Sequence, residues 1–355
     1  MAKKEGILAE YQKYTGKKVL FGAVLILLLI LLTMYSIAVG AVKIPIAEVV
    51  TTLLGSNTGN AYTIIWNIRL PRVLAAIAAG MGLSVSGAAM QSILKNPLGS
   101  PYTLGISHAA AFGAAFSIVV LGAGSLQSSS ADAVILNNPY ITTISAFVWA
   151  LISTGVILIL TKYKNATPET MILTGVALSS LFTAGTTALQ YFASDVEIAS
   201  IVFWTFGDVG RVTWNNLLII SLAVIPSSVY FMYNSWNYSA LASGKETAKS
   251  LGVNVEKIRL HGMLISSFVT ALIVSFVGII GFVGLVAPHI VRKIIGGDEK
   301  YLIPVSCLVG GLLLLASDTA ARTVIAPIVL PVGILTSFLG APLFIYLVLK
   351  GRRYW

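Results

Sequence analysis

The segment Val19–Val39, which reads VLFGAVLILLLILLTMYSIAV, decides the fold class of this chain. It contains no charged residue, and about 20 mostly apolar residues in a helix are enough to cross the hydrocarbon core of a bilayer. The whole chain shares this character, because charged residues make up only 10% of it and its mean hydropathy is +0.89. Soluble domains carry roughly 25% charged residues. We therefore predict an all-α, polytopic membrane protein.

Further apolar segments follow the first, so the sequence predicts about ten transmembrane helices. Residues 1–18 are expected to form a cytoplasmic N-terminal segment, and residues 19–355 a single transmembrane domain. The apolar run of the first span is longer than the roughly 7–15 residues of a cleavable signal sequence, so we expect it to remain as an anchor. The predicted spans are 19–39, 71–94, 102–122, 141–161, 169–192, 213–233, 256–280, 282–295, 302–319 and 331–349.

Basic residues set the predicted orientation, because the cytoplasmic loops of membrane proteins carry an excess of lysine and arginine. With both termini placed in the cytoplasm, 18 of the 23 basic residues fall on the cytoplasmic side. This distribution predicts a multi-pass protein of the cytoplasmic membrane. The basic residues form short patches between apolar spans rather than a stripe with interleaved aromatic residues. We therefore expect contact with membrane lipid and no nucleic-acid partner.

Side chains for catalysis or metal binding form no recognisable pattern in the sequence. Cys307 is the only cysteine, and His108, His261 and His289 show no ligand spacing with one another or with a carboxylate. The stretch 243–247 lacks the spacing of a phosphate-binding loop. The spans contain almost no carboxylates away from their ends, which argues against coupling to protons or ions. We expect no catalytic, cofactor-binding or metal-binding residues, so any ATP-driven work requires a separate subunit.

The second span combines two signals. Its residues 75–88 are rich in alanine, glycine and serine, which allow close helix contacts in lipid and predict a helix inside the bundle. At its start, Arg69 and Arg72 flank Pro71, a residue that suits a first helical turn. These arginines oppose the charge distribution, and either snorkelling to lipid headgroups or docking of an acidic partner could explain them.

Two further polar sites remain open to more than one interpretation. Asp318 and Arg322, at the end of the ninth span, have the four-residue spacing of an ion pair, and a functional role is equally open. The stretch Ser239–Arg259 is the largest polar segment between spans, and its residues 246–251, followed by Gly252, predict a short helix that ends at a glycine. Such a helix could lie on the membrane surface or contact a cytoplasmic partner.

The same segments resemble, in their order and spacing, a known family: the iron-siderophore, haem and cobalamin permeases of the large, ten-helix class of ABC importers. The resemblance extends from about residue 60 to the end of the last span. It is carried by Ile68–Arg72, Ser86–Gln91, Asn96–Pro101, Leu104-Gly105, Leu173–Leu178, Trp204 with Gly207 and Trp214, Gly244–Ala248, Leu251-Gly252, Gly281–Arg292, Pro331–Thr336 and Gly340–Phe344.

This resemblance implies a permease that moves a metal chelate into the cytoplasm, with a ferric siderophore as the first expectation and cobalamin or haem next. An oxyanion such as molybdate is the alternative cargo, and a secondary transporter without an ATPase is a weaker one. The implied partners are a pair of ATP-hydrolysing subunits, an extracytoplasmic substrate-binding protein and a second permease copy. That second copy makes a homodimer, or a heterodimer of two similar permeases.

The resemblance also implies roles for individual residues. Arg69, Arg72 and Arg322 match arginines that dock the binding protein, and Asn96 and Leu98 match an inner-gate motif. The chain departs from the family pattern in two places: Val329 replaces a usual glutamate, and Lys245 replaces an acidic residue that is often found there. A cytoplasmic coupling segment at about 238–255 is expected to contact the ATPase through Gly244, Lys245, Glu246, Ala248, Leu251 and Gly252.

Overall fold

The protein is described here by a computed structural model that covers residues 2–40, 42–55, 59–123, 139–163 and 167–350. A π-helical turn, Ile64–Arg69, connects α3 to α4, and a 3-10 turn, Val209–Arg211, precedes α9. The covered residues form fifteen α-helices and no strand: α1 (Ala2–Ala38), α2 (Ile46–Leu53), α3 (Asn60–Thr63), α4 (Leu70–Leu94), α5 (Ile106–Val119), α6 (Pro139–Tyr163), α7 (Pro168–Phe192), α8 (Asp195–Thr205), α9 (Trp214–Tyr233), α10 (Ser235–Ala242), α11 (Lys245–Ser250), α12 (Val255–Val277), α13 (Val283–Ile295), α14 (Glu299–Thr323) and α15 (Val332–Lys350).

Each of the ten predicted spans coincides with one helix, so the prediction of an all-helical, polytopic fold is confirmed. Seven helical stretches in the described ranges are long and apolar enough to cross a membrane. Helix α5 and residues 332–346 of α15 are shorter apolar helices, and α13, which contains Pro288, has 13 residues. The side of the membrane on which the termini lie stays a prediction.

Helix α8 lies between the fifth and sixth predicted spans and is not among the predicted elements. Its N-cap is Ser194, whose backbone N–H donates to Oε2 of Glu197 at 2.8 Å. This reciprocal cap satisfies backbone donors at the start of a helix, and it explains why a separate helix begins directly after α7 ends.

Helix α4 lies inside the bundle, as its small residues predict, and most of its residues from Ala75 onward are buried. A Cβ atom on Gly80 would overlap the carbonyl oxygen of Gly310 in α14, and one on Gly87 would overlap that of Gly284 in α13. Only glycine therefore fits at these crossings, and the helix backbones pack directly against each other.

Helices α4 and α14 run antiparallel along their whole length. The start of α4 meets the end of α14 through Arg72 and Asp318, and the end of α4 meets the start of α14 through Ser92 and Glu299. Twenty-five residues of α-helix span about 37 Å. We call the first end of this helix pair the arginine end and the second the coupling end.

Candidate functional sites at the two ends of helix α4

The arginine end is organised around a buried carboxylate. Asp318 has no exposed side-chain surface, and its oxygens accept hydrogen bonds from Arg72 at 2.8 and 2.9 Å and from Nε of Arg322 at 3.0 Å. The ion pair that the four-residue spacing of Asp318 and Arg322 allows is therefore formed. The participation of Arg72, which is 246 residues away in sequence, was not anticipated.

Arg69 and Arg322 bind backbone carbonyl groups at the end of α1, a role that the sequence did not predict. The Arg69 guanidinium donates to the carbonyl oxygens of Ile37, Ala38 and Val42, and the Arg322 guanidinium donates to those of Ser36 and Val39. These carbonyls lie at and just beyond the C-terminal end of α1, where helix carbonyls lack partners within the helix and cations are favoured. Both arginines are buried, and they attach α1 to the bundle.

Arg72 lies at the rim of this cluster, with 14% of its side chain exposed. It also forms an ion pair with Asp208 at 3.4 Å. Arg72 and Asp208 line a cavity of about 670 Å³ together with Arg211 and Val329. Burial lowers the pKa of Arg211, Asp208 opposes that effect, and the Arg211 side chain donates to the carbonyl of Phe203 at 2.7 Å. Val329 thus places an apolar side chain beside two arginines.

The predicted coupling segment forms the short helix α11, which ends as the sequence predicts. Gly252 has φ +81°, and its N–H donates to the carbonyl of Lys249 at 2.9 Å. Gly244 precedes the helix with φ +128°, another conformation that favours glycine. Ala248 is fully buried and anchors the segment, whereas Lys245, Glu246 and Leu251 are exposed. Leu251 has 59% of its surface exposed, so an apolar side chain lies at the surface of this polar segment.

The candidate gate residues lie in the loop that follows α4. Lys95 takes a left-handed conformation, with φ 47°, and ends the helix. Burial lowers the pKa of Lys95, and the nearby Arg259 lowers it further. The Asn96 side chain accepts a hydrogen bond from the backbone N–H of Leu98 at 2.8 Å, which fixes the turn. Leu98 is 43% exposed, so its side chain points away from the core at this end.

A second buried carboxylate lies at the coupling end, and the sequence reading did not identify it. Oε1 of Glu299 accepts a hydrogen bond from Ser92 at 2.7 Å and lies 3.5 Å from Nη2 of Arg292. Arg292 also donates to Oε1 of Gln91 at 3.1 Å. We call these four residues the Glu299 network. Glu299 is 2% exposed, and the network joins α4, α13 and α14.

Side-chain groups for chemistry are not assembled in the parts of the chain that the structure covers. No group of three or more histidine, cysteine or acidic side chains there could hold a metal ion. Cys307 is buried in the core, as its apolar surroundings in the sequence predict. The arrangement binds helices together and presents charged or apolar surfaces at two ends.

The fold and these two sites define a class: an all-helical, multi-span membrane protein with a buried cluster of arginine and carboxylate side chains at each end of its central helix pair. Comparison with known proteins gives the family. Residues 28–350 match the FecCD transport family, and the chain belongs to it. The chain is accordingly a transport subunit of the ABC-permease type rather than an enzyme.

The relatives align with nearly the whole chain. A protein of Methanocaldococcus jannaschii named as an ABC transporter permease is 56% identical, over 96% of this chain and 97% of the relative. The hemin transport system permease of Yersinia pestis is 36% identical, over 93% and 95%. A solved structure described as an inward-facing metal-chelate type ABC transporter superposes with a TM-score of 0.78 at 28% identity, and covers 94% of this chain and 99% of that one.

Proposed function

We propose that this chain is the membrane permease of an ABC importer that brings a ferric siderophore into the cytoplasm. Cobalamin or haem is the next choice of cargo. The observation that carries the proposal is the pairing of a cationic surface at the arginine end with an exposed, anchored helix at the coupling end. Relatives named for transport of hemin, ferric citrate and vitamin B12 support a metal chelate as the cargo class.

Cargo identity is tested on the binding protein that works with this permease. A ferric hydroxamate siderophore, ferric citrate, haem, cobalamin and molybdate would be titrated against that protein by intrinsic fluorescence. The proposal expects the tightest binding for a ferric chelate, followed by uptake of the same chelate into proteoliposomes that hold the complete importer and ATP. Binding of molybdate alone would replace the metal chelate with an oxyanion.

Docking of the binding protein is proposed at the arginine end. The cluster of Arg69, Arg72 and Arg322 contains one buried aspartate, so cations outnumber carboxylates even when Asp208 is included. Arg69 and Arg322 supply charge from beneath the surface, because their hydrogen bonds go to α1. Arg72 is the most exposed of the three and is the side chain best placed to meet a carboxylate of a partner. Charges arranged in this way steer and orient docking more than they add affinity.

The docking role is tested with Arg72→Gln and Arg72→Lys. Loss of the Arg72 charge is expected to weaken the affinity of the binding protein by about tenfold or more, the usual consequence of losing a partner in a close charge pair. Arg72→Lys keeps the charge and is expected to retain most of the affinity. Lys43→Gln, which removes an exposed charge from the same predicted side, is the matched control. Equal affinities for all three variants would remove Arg72 from the docking site.

The coupling segment is proposed to bind the ATPase through its exposed residues. Lys245, Glu246 and Leu251 face outward around the buried Ala248, so an apolar side chain flanked by charges is available to a partner cleft. Leu251→Asp is therefore expected to release the ATPase on purification or to abolish uptake while the permease stays folded. Ala248→Asp tests something different, because it places a charge in the core and destabilises the permease itself. Normal co-purification and uptake with Leu251→Asp would contradict the proposal.

A second permease copy is proposed to cover helix α7. Only 11% of the most apolar window of this helix is buried. Its exposed face carries the hydroxyl side chains of Ser180, Thr183 and Thr187, which are less suited to lipid than to a helix partner or a polar passage. Asn96 and Leu98 are proposed to form the inner gate of that passage, and the cytoplasmic cell membrane is its proposed location.

A further inference from the structure

The coupling segment and the gate loop both adjoin the two helices, α4 and α14, that meet at one buried polar group. Helix α10, which leads into α11, packs on both α4 and α14. Those two helices meet at Glu299, and the loop with Asn96 and Leu98 begins directly after α4 ends. A movement of α10 and α11 therefore has a direct route to the gate loop through the Glu299 network.

Tyr238 of α10 belongs to the same hydrophobic core as Met90 and Ile93 of α4 and Leu302 of α14. It is fully buried, and a Cβ atom on Gly262 of α12 would come within 2.6 Å of its hydroxyl oxygen, so the glycine makes room for it. Burial, with Tyr230 and Glu299 close by, raises the pKa of the Tyr238 phenol above its ordinary value. The phenol consequently stays protonated, and Tyr238 packs as a neutral side chain in the core that α10 shares with α4 and α14.

The network itself joins three helix ends with charge-assisted bonds. Ser92 donates from the last turn of α4 at 2.7 Å, and Arg292 approaches from the last turn of α13 while it also binds Gln91 of α4. Breaking a buried pair is strongly unfavourable because it leaves a charge without compensation. The three helix ends are therefore expected to move together rather than separate.

We propose that Glu299 is a positioning residue that transmits movement of the coupling segment to the inner gate. The proposal rests on the proposed function, since it needs an ATPase that moves α11. Glu299 is buried and acts through the helices that it joins. It holds the ends of α4, α13 and α14 as one body, so that displacement of α10 moves the loop at 95–101 instead of deforming the contact between them.

The test uses the complete importer in proteoliposomes, with Glu299→Gln and the control Asp298→Asn. Asp298 is the neighbouring carboxylate, its side chain is 46% exposed, and asparagine preserves its cap on α14. A Leu98→Cys reporter in each background measures maleimide labelling of the gate with and without a non-hydrolysable ATP analogue. The second measurement is the stimulation of ATPase by the loaded binding protein.

Glu299→Gln is expected to keep its basal ATPase rate, to lose the nucleotide-dependent change in Leu98→Cys labelling, and to lose stimulation by about tenfold. Asp298→Asn is expected to behave as the wild type. Retention of both responses by Glu299→Gln would overturn the proposal. If Glu299→Gln does not assemble, Ser92→Ala, which leaves the Arg292 pair intact, is expected to reduce both responses, and unchanged responses would likewise overturn it.

These measurements distinguish a failure of the proposed role of Glu299 from a failure of the proposed cargo. A wild-type importer whose gate labelling responds to nucleotide, but which imports none of the metal chelates, would contradict the proposed cargo. A loss of that labelling response in Glu299→Gln would then still support the positioning role of Glu299.

Discussion

The two ends of the α4–α14 pair use the same element, a buried carboxylate of α14, in opposite ways. At the arginine end, Asp318 is surrounded by more cations than it can neutralise, and Arg72 reaches the rim. At the coupling end, Glu299 has one cationic partner in Arg292 and is sealed from solvent. The first arrangement has more cations than carboxylates and reaches the surface through Arg72, whereas the second is balanced within the protein.

The stretch between the two ends explains how they can act as one unit. Gly80 and Gly310 bring the two backbones into contact, and Ser84 donates to the carbonyl of Ser306 at 2.7 Å. Close packing of this kind resists sliding, because interiors deform between discrete arrangements rather than continuously. One helix pair therefore carries a partly exposed arginine cluster at one end and a buried polar network at the other, which are the proposed docking surface and the proposed joint.

The largest effect is expected from removing the carboxylate at the arginine end. Asp318→Asn leaves Arg72 and Arg322 without a buried counter-charge, and loss of one partner in such a pair costs about 3–5 kcal/mol. The melting temperature of the purified permease should fall strongly. Asp195→Asn, which changes an exposed carboxylate, should have little effect. Equal melting temperatures for the two variants would mean that Asp318 is not the centre of the cluster.

The contact between the two ends is tested next, with Gly80→Ala. The added methyl group meets the backbone of α14, and overpacking of this kind costs about 1–3 kcal/mol. Gly155→Ala in α6 is the matched control, because a Cβ atom there meets no other atom within 4 Å. Thermal melting of both variants gives the comparison. A stable Gly80→Ala protein would show that α4 and α14 can separate without penalty.

Salt should distinguish the two ends. Affinity of the binding protein for the arginine end is expected to fall as salt rises from about 0.05 to 0.5 M, because exposed charges are screened over about 10 Å at 0.1 M. The internal Glu299 network is screened much less, so the melting temperature should change little over the same range. Docking that is indifferent to salt would argue against an electrostatic contact surface.

The smallest effect is expected at the surface of the coupling end. Lys18 and Asp298 form an ion pair at 3.7 Å in which 46% of the Asp298 side chain but only 5% of the Lys18 side chain is exposed. The contact is long, its carboxylate is open to water, and the Lys18 ammonium also lies over the rings of Tyr14 and Tyr301. Asp298→Asn should therefore shift the melting temperature only slightly, in the range of pairs near the surface, which contribute about 0–1 kcal/mol. A large shift would place Asp298, rather than Glu299, at the centre of this end.

Local signals in the sequence were sufficient for much of this architecture. Apolar length identified the spans, small residues identified α4 as an internal helix, and Gly252 marked the end of α11. The spacing of Asp318 and Arg322 allowed their ion pair. Each of these features is encoded within one or two helical turns, where neighbours in sequence are neighbours in space.

The features that were missed depend on distant parts of the chain. Ser92 and Glu299 are 207 residues apart, and nothing near either residue reveals that they meet. The capping role of Arg69 and Arg322 depends on the position of α1, which no local pattern specifies. Helix α8 was overlooked because 11 residues are too few for a span and its cap was not considered.

The end of α1 also has a consequence for synthesis. Ser36 receives its guanidinium partner from a residue that lies 286 positions later in the chain. The carbonyl groups of Ser36 and Val39 therefore lack this partner until α14 has been made. A truncated product would retain that defect, which distinguishes an unfinished chain from a complete one at a site far from the truncation.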